Sequence, residues 1–305
     1  MTASTTIPDT PGTAVLRRFN RTWSQRVGVL EDSFLGLGLP LSRARLLHEV
    51  GHDPDVTVRD LRERLDLDSG YLSRLLRDLE DRKLVVLTPD PADRRRRRIH
   101  LTRSGARLAA RLEDRSEDLA QRLVDPLTVR QRERLLAALG SADLLVRAAT
   151  VHLERVAPDG PLAAEAMASY VAELDATFPD GFAPGPVAPP EVVVLARSDG
   201  ATAACGGLQP LGDGTAEVKR MWVSPDWRGA GLGARLLRHL EGLAREAGHE
   251  RVVLDTNLAL TDAVALYERN GYRRTERYND NPYAEAFFTK DLTQDLTQDL
   301  TSPPA

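Results

Sequence analysis

The chain has 305 residues, 28% of them charged, and a formal net charge of −4, which predicts a globular protein of about two domains and excludes a uniformly basic nucleic-acid coat. The single cysteine, Cys205, excludes an intrachain disulfide and favours a reducing compartment. Residues 1–10 lack the pattern of a signal peptide, and no apolar run approaches the roughly 20 residues of a membrane span. We therefore expect a cytoplasmic protein that does not contact a membrane.

Residues 1–149 are expected to form a mostly helical domain. Thr57-Val-Arg-Asp60 is typical of a capping box that starts a short helix, 57–65, and Asp68 is the predicted N-cap of a second helix from Ser69 to about Arg82. The apolar positions of the second helix form one stripe: Leu72, Leu75, Leu76 and Leu79. Its opposite face carries Ser69, Ser73, Arg74 and Arg77. Two short helices across a tight turn, the second with a polar face, predict a helix-turn-helix.

A predicted β-hairpin follows this helix pair. Leu84–Thr88 and Ile99–Thr102 read as strands on either side of Pro89-Asp-Pro-Ala-Asp93 and of the run Arg94–Arg98. Arginines on such a wing are expected to contact DNA phosphates or a narrow minor groove. Arg94, Arg95 and Arg96 are the candidate contacts of the wing, and a solvated arginine run is the alternative.

Asp90-Pro-Ala-Asp-Arg-Arg95, together with Ile99-His-Leu-Thr-Arg-Ser-Gly105 and a following long helix, resembles the MarR family of winged-helix regulators. The resemblance implies double-stranded DNA as a partner. Arg74 and Arg77 are candidate base contacts, but either could instead pair with a carboxylate of its own helix: Asp78, Glu80 or Asp81. Two positions depart from the family pattern, Lys83 where glycine is usual and Leu87 where a basic residue is frequent.

Two long apolar-striped segments, 12–35 and 104–150, flank the predicted DNA-reading module. One small domain offers too little core to bury both. The resemblance implies a homodimer built from these helices, which would place two recognition helices on a palindromic operator.

Residues 150–292 alternate strands and helices and predict an α/β domain, with helices at 161–177 and 261–269 and strands at 251–256 and 272–278 among its elements. A strand at 215–223 leads into Arg228-Gly-Ala-Gly-Leu-Gly233, which opens a long helix, 230–247. Glycines at a helix start let bare N–H groups and the positive helix end converge on an anion such as pyrophosphate. The segment resembles the acetyl-CoA motif of the GNAT acetyltransferases. That resemblance implies acetyl-CoA as cosubstrate and a mixed sheet that splays beside Met221–Val223 to admit the pantetheine arm.

The residues expected to bind acetyl-CoA surround this motif: Met221, Trp222, Val223, Arg228, Gly229, Ala230, Gly231, Leu232, Gly233 and Asn257. Asn257 is included because Leu260 stands where many family members carry an asparagine. Ala263-Val-Ala-Leu-Tyr-Glu-Arg-Asn-Gly-Tyr272 resembles the family element whose tyrosine is the general acid, which makes Tyr267 the candidate, with a packed core tyrosine as the alternative.

A primary amine acceptor has a pKa near 10.4 and is neutral in only about one molecule in two thousand at pH 7. A general base is therefore useful, and Glu217 is the candidate because some family members carry one there. The alternative for Glu217 is a surface pair with Lys219 or Arg220. Asp180 and Asp280 are the acidic loop residues that could attract a cationic small-molecule or peptide acceptor, or simply solvate their loops.

Three functions remain open on these residues. The chain could be a DNA-binding regulator fused to an active N-acetyltransferase, a regulator whose second domain senses acetyl-CoA or an amine without turnover, or an acetyltransferase that its winged-helix half only dimerises. The six scattered histidines show no ligand spacing, so no metal is expected. Residues 293–305, which repeat Thr-Gln-Asp-Leu, are expected to be a disordered tail.

Overall fold

The computed structural model describes residues 11–29, 31–91, 93–183, 189–198 and 201–293. The chain divides into two compact units between Leu136 and Ala137. The expected tail lies outside the described residues apart from Thr293. The helices of the described part include none that is both long and apolar enough to cross a bilayer.

The first unit is a helical domain with one β-hairpin. Its elements are α1 (Pro11–Arg26), a short 3₁₀ turn (Phe34–Gly36), α2 (Leu41–His52), α3 (Val58–Arg64), α4 (Ser69–Asp81), β1 (Val85–Pro89), β2 (Arg97–Leu101), α5 (Arg103–Val124) and the start of α6 (Val129–Thr150). The two strands pair antiparallel from Val85 opposite Leu101 to Pro89 opposite Arg97. The helix-turn-helix and wing architecture is confirmed.

Both predicted helix caps are present. The hydroxyl of Thr57 accepts from the Asp60 N–H at 3.2 Å, and the Asp60 carboxylate accepts from the Thr57 N–H at 3.0 Å. The Asp68 carboxylate accepts from the Tyr71 N–H at 2.8 Å and starts α4. The leucine stripe of α4 is buried against α2 and β1. The polar face of α4 is therefore exposed to solvent.

The two long segments are not single helices, which corrects the expectation. Segment 12–35 is helical only to Arg26, because Gly28 has a left-handed φ of 69° that ends a helix. Segment 104–150 is two helices, because Pro126 has no N–H to continue α5 and Thr128 caps the start of α6 through Gln131.

The second unit is a mixed sheet with helices on both faces. After the remainder of α6, its elements are β3 (His152–Val156), α7 (Pro161–Thr177), β4 (Val192–Ser198), β5 (Ala201–Gly212), β6 (Thr215–Val223), α8 (Leu232–Glu246), β7 (Arg251–Thr256), α9 (Thr261–Arg269), β8 (Arg273–Arg274) and β9 (Ala286–Asp291). The strand order is β3-β4-β5-β6-β7-β9-β8, and only β6 and β7 pair parallel.

The expected strand 272–278 is reduced to the two residues of β8. The chain divides inside α6, whereas the sequence places the limit at 149/150, next to the end of that helix.

The sheet opens between its two parallel strands. β6 pairs with β7 only over Thr215–Glu217, opposite Arg251–Val253, although both strands continue for several residues. Beyond Glu217, β6 carries a bulge in its pairing with β5, and Arg220 adopts a left-handed φ of 56°. The gap therefore lies beside Met221–Val223, as the sequence predicts. α8 packs on one face of the sheet through Leu236, Leu237 and Leu240, and α7 covers part of the other.

Candidate functional site

The N-terminus of α8 follows β6 after a 3₁₀ turn, Pro225–Trp227, and has the geometry of an anion cradle. Gly231 caps the helix with φ 76°, and Gly229 has φ 81°, so both positions require the conformational freedom of glycine. A Cβ at either position would meet no atom within 4 Å, which leaves open space in front of the backbone. No side chain caps α8, and its first N–H groups have no partner within the helix. This arrangement fits a pyrophosphate.

Three neighbours of the cradle have packing roles of their own. Leu232 is 1% exposed and lies in the core, so only its backbone faces the cradle. A Cβ on Gly233 would lie 3.3 Å from Leu266, so glycine here lets α8 approach α9. Ala230 is partly buried against the same core.

A carboxylate on α7 holds the two polar side chains beside the cradle. The indole Nε1 of Trp222 donates to Glu173 at 2.7 Å, and the guanidinium of Arg228 pairs with the other Glu173 oxygen. Arg228 Nε also donates to the Val223 carbonyl at 3.1 Å. The positive charge expected at the cradle is thus present and already paired.

Glu217 is the last residue of β6 that pairs with β7, and it is 4% exposed. One carboxylate oxygen accepts from the Tyr278 hydroxyl at 3.1 Å and the Asn279 amide at 3.2 Å. The other accepts from Lys219 Nζ. The pair with Lys219 exists, but the carboxylate is buried at the sheet opening and is not a surface group.

Asp255 is a second carboxylate at the opening, and sequence reasoning missed it. The Asn279 amide bridges it to Glu217, donating to Asp255 at 2.8 Å, and Asn281 donates to the same oxygen at 3.1 Å. The available signal was its position: an acidic residue that alternates with buried residues at the end of the apolar strand β7.

Tyr267 of α9 is 5% exposed, and its ring lies about 6 Å from the rings of Tyr272 and Phe288, at 6.0 and 5.9 Å. Burial raises the pKa of its hydroxyl well above the usual 10, and the nearby Tyr170 and Asp255 raise it further. The ring therefore packs in the core, as the alternative reading holds, while the hydroxyl carries its proton throughout the neutral range.

Asn257 is engaged in fixing loops. Its amide donates to the Tyr283 carbonyl at 2.9 Å, and its side-chain oxygen accepts from the Ala259 N–H at 2.8 Å. Asp180 and Asp280, the acidic loop residues considered from the sequence, are both exposed.

The polar face of α4 and the wing enclose a groove of about 510 Å³ in the first unit. The groove brings together the predicted residues Ser69, Ser73, Arg95 and Arg96, and it adds Arg59, Arg62 and Arg97. Sequence reasoning missed Arg59 and Arg62, although their spacing of three on the helix before the turn places them on one face.

Arg74 and Arg77 are exposed, and in the described part of the chain neither has a carboxylate within 4.0 Å. Asp78, one of their possible partners, is instead bound by Arg43 and Arg82. The expected alternative of pairing within α4 is therefore not observed.

The five arginines of the wing are not equivalent. Arg94 and Arg95 are exposed, and Arg96 lies 3.5 Å from Asp93. Arg98 instead binds Asp55 and Asp90, which ties the wing to the segment before α3.

Both departures from the MarR pattern have a clear structural place. Lys83 adopts the left-handed conformation with φ 58°, so the chain keeps the glycine-like helix end without the glycine. The Lys83 carbonyl accepts from the Thr102 hydroxyl at 2.6 Å. Leu87 packs against the core of the unit.

Residues 37–96 match the model of the MarR family, and residues 162–272 match the model of the acetyltransferase (GNAT) family. The chain is a MarR-type domain fused to a GNAT-type domain.

An uncharacterized N-acetyltransferase of Schizosaccharomyces pombe is 34% identical over 104 residues, covering 33% of this chain and 64% of that protein. The IAA acetyltransferase of Azospirillum brasilense is 38% identical over 80 residues, covering 26% and 52%. The chain thus spans less than two thirds of either curated relative. Wild-type MarR of Escherichia coli is 23% identical, with a TM-score of 0.37, over 45% of this chain and 98% of that one.

The helices that flank the MarR-type module expose large apolar side chains. On α1 these are Val15, Leu16, Phe19 and Trp23, each at least 43% exposed, and on α6 they are Val129, Leu136, Leu145 and Val146, each at least 52% exposed. In the described ranges, no three His, Cys, Asp or Glu side chains are grouped as a metal site would need.

Proposed function

We propose that this chain is a DNA-binding transcriptional regulator that is also an acetyl-CoA-dependent N-acetyltransferase acting on a primary amine. One observation carries the transferase half: the sheet opens between β6 and β7 directly beside a glycine-bounded, uncapped helix start. The opening exposes the backbone of Met221–Val223, and the helix start offers N–H groups to a pyrophosphate.

Acetyl-CoA supplies the activated acetyl group. The N–H groups at the start of α8 would hold its diphosphate, and Gly229 and Gly231 leave the room for it. The edge of β6 that faces β7 beyond Glu217 would hold the pantetheine arm and donate to the thioester carbonyl. Asn257 would act on this arm indirectly, through the loop that it fixes.

Glu217 and Tyr267 are the proposed proton-handling residues. Glu217, whose carboxylate is bound by Lys219, would accept the proton of the amine, directly or through water. Tyr267 has a pKa far above that of a thiol, near 8.5, so complete proton transfer to the leaving thiolate would be uphill. Tyr267 is therefore suited to donate a hydrogen bond to that sulfur, and the proton that completes the thiol comes from the amine or from water.

The test is the release of CoA thiol from acetyl-CoA with a pool of small amines, amino acids and basic peptides. Tyr267→Phe should lower kcat by about a hundredfold while acetyl-CoA affinity changes little, because the ring and its packing are kept. Tyr272→Phe, which alters a neighbouring buried tyrosine, is the matched control and should retain most of the turnover. Equal turnover of wild type and Tyr267→Phe would remove Tyr267 from the chemistry.

A regulator that binds acetyl-CoA or an amine without turnover is the second candidate. The observation that favours it is that Glu217 is paired with Lys219 and Arg228 with Glu173. Under this function, Glu217→Gln and Tyr267→Phe leave ligand-dependent DNA binding unchanged, whereas Gly231→Val abolishes it. Saturable acetyl-CoA binding without any CoA release would decide for this candidate.

The regulator half rests on the groove that α4 and the wing enclose. Ser69, Ser73, Arg74 and Arg77 would face the major groove, and Arg94, Arg95 and Arg96 would contact phosphates or the minor groove. The exposed apolar side chains of α1 and α6 support a homodimer, which would place two such modules on a palindromic operator. Sedimentation equilibrium of the full chain tests the dimer.

A further inference from the structure

Four aromatic rings form a continuous wall beside the sheet opening. Phe178 and Phe182 follow α7, Tyr283 precedes β9, and Tyr170 lies on α7 itself. The Phe182 and Tyr283 rings are 4.7 Å apart, Phe178 stacks on Tyr283 at 5.9 Å, and Tyr170 meets Phe182 edge-on at 6.2 Å. All four are only partly buried, so they retain surface that a ligand can cover.

Hydrogen bonds hold this aromatic wall in place. The Tyr283 hydroxyl accepts from the Ala183 N–H at 3.1 Å and lies 3.3 Å from the Ala183 carbonyl. The Phe182 N–H donates to Asp175 at 2.9 Å, and Gly181 supplies the left-handed turn with φ 74°. The wall is therefore a built surface, and its geometry is set before any ligand arrives.

Asp255 supplies negative charge next to the aromatic wall. Its hydrogen-bond donors are the neutral amides of Asn279 and Asn281, which orient the carboxylate without neutralising it. Among the described residues, no lysine or arginine nitrogen lies within 4.0 Å of it, whereas Glu217 has Lys219. Asn281 joins Asp255 to the wall, because its amide donates to Asp255 at 3.1 Å and its side-chain oxygen accepts from the Tyr283 N–H at 3.1 Å.

Arg220 is the opposing charge in this neighbourhood. Its positive charge lowers the pKa of the Tyr170 hydroxyl, whereas the charge of Asp255 raises it. Arg220 also interacts with other groups of the chain. A cationic ligand is therefore expected at Asp255, which Asn281 joins to the wall, and not at Arg220. An acceptor that carries its own carboxylate would meet two acidic groups, Asp255 and Glu217.

We propose, on the basis of the proposed transferase function, that the acceptor is an arylalkylamine, whose ammonium group binds Asp255 and whose flat apolar group packs on the aromatic wall. The carboxylate provides a charge-assisted hydrogen bond, and the rings provide apolar area and π faces. A short polar amine would leave the rings uncovered, and a neutral aromatic molecule would leave Asp255 without a cation.

The experiment is calorimetric titration of the full chain, saturated with CoA, with 2-phenylethylamine. 2-Phenylethanol lacks the charge and n-butylamine lacks the ring, and each should bind at least tenfold more weakly than 2-phenylethylamine. Equal affinity for the amine and the alcohol would overturn the role of Asp255. No measurable binding of 2-phenylethylamine would overturn the whole inference.

Variants assign each half of the ligand to its residue. Asp255→Asn should remove the preference for the amine over the alcohol, and Phe182→Leu should reduce the preference for the ring while keeping that for the charge. Glu246→Gln, which removes an exposed carboxylate at the far end of α8, is the matched control and should change neither preference. CoA affinity within twofold of wild type shows that each variant is folded, and unchanged preferences in folded Asp255→Asn would contradict the proposal.

Failure of this inference can be told from failure of the proposed function. Selective binding of 2-phenylethylamine without CoA release from acetyl-CoA would keep the ligand class and reject turnover. CoA release with other amines, together with no selectivity for 2-phenylethylamine, would keep the enzyme and reject the ligand class.

Discussion

In the MarR-type domain, Arg74, Arg77 and Arg94 stand exposed without a carboxylate neighbour in the described chain, whereas in the GNAT-type domain Glu217 and Arg228 are each held by an opposite charge. The two candidate sites thus use charge differently. Exposed arginines suit a long polyanion, whose counterions they displace. Charges that are already paired suit a small ligand that must exchange one set of partners for another.

The largest effect is expected from a substitution that destabilises the MarR-type domain and leaves the GNAT-type domain unchanged. A Cβ on Gly105, in the first turn of α5, would lie 1.9 Å from the backbone oxygen of Leu84. Gly105→Ala should therefore destabilise the MarR-type domain by about 3 kcal/mol or more, because neither backbone can yield cheaply. Denaturation of the full chain followed by circular dichroism measures it.

Gly140→Ala is the control for Gly105→Ala, since a Cβ there meets nothing within 4 Å and alanine favours the helix. Acetyl-CoA affinity should survive in both variants. Loss of that affinity in Gly105→Ala would show that the GNAT-type site depends on the fold of the other domain.

The second prediction separates Arg94, Arg95 and Arg96 of the wing from Arg98, which is bound by two carboxylates. Replacing Arg94, Arg95 and Arg96 by alanine should weaken DNA binding by about a hundredfold at low salt and lower the salt slope by about 2.7 per wing, with little loss of stability. Arg98→Ala should instead loosen the hairpin, because Arg98 holds Asp55 and Asp90. Fluorescence anisotropy across a salt series provides the measurement.

The control for the wing variant removes the same charge from exposed positions of the other domain: Arg155, Arg238 and Arg269. Equal losses of DNA affinity in the two triple variants would reduce the wing to a general charge effect. Unchanged DNA affinity in both triple variants would mean that the wing does not bind DNA, and dimerisation would be the remaining function of the MarR-type domain.

The third prediction concerns buried tyrosine in the GNAT-type domain. Burial raises the pKa of Tyr267 above its unfolded value near 10, so above pH 10 the unfolded chain loses this proton and the folded chain keeps it. Stability therefore falls as pH rises above 10, by about 1.4 kcal/mol per pH unit for this residue. Thermal melts of wild type and Tyr267→Phe between pH 8 and 11 measure the difference, and a Tyr267→Phe curve parallel to wild type would contradict it.

The smallest effect is expected at the end of α4. Lys83 occupies a left-handed conformation that glycine adopts without steric cost. Lys83→Gly should raise stability by up to about 1 kcal/mol, and Lys83→Ala should give no such gain. Urea denaturation resolves both, and a destabilised glycine variant would mean that the lysine side chain itself contributes.

Local signals predicted much of the fold. The capping box at Thr57, the cap at Asp68 and the limits of α7, β6, β7 and α9 all follow from short patterns that tertiary contacts do not override. The break at Pro126 was missed because apolar residues continue on both sides of it.

The candidate site was predicted less completely, because its chemistry depends on residues distant in the sequence. Asn279 reaches Asp255 and Glu217, which lie 24 and 62 positions earlier, and Glu173 lies 55 positions before Arg228. No motif spans such distances. The roles of Glu217, Tyr267 and the cradle residues stay predictions until turnover is measured.

The contacts of Glu173 affect which anions can bind at the cradle. An anion that engages Arg228 has to displace a carboxylate that already holds both Arg228 and Trp222. A singly charged ion gains little from that exchange, whereas a diphosphate has enough charged oxygens to bind Arg228 and the helix N-terminus together. We therefore expect the cradle to favour a diphosphate over singly charged anions such as chloride and acetate, through competition with Glu173 and without a steric gate.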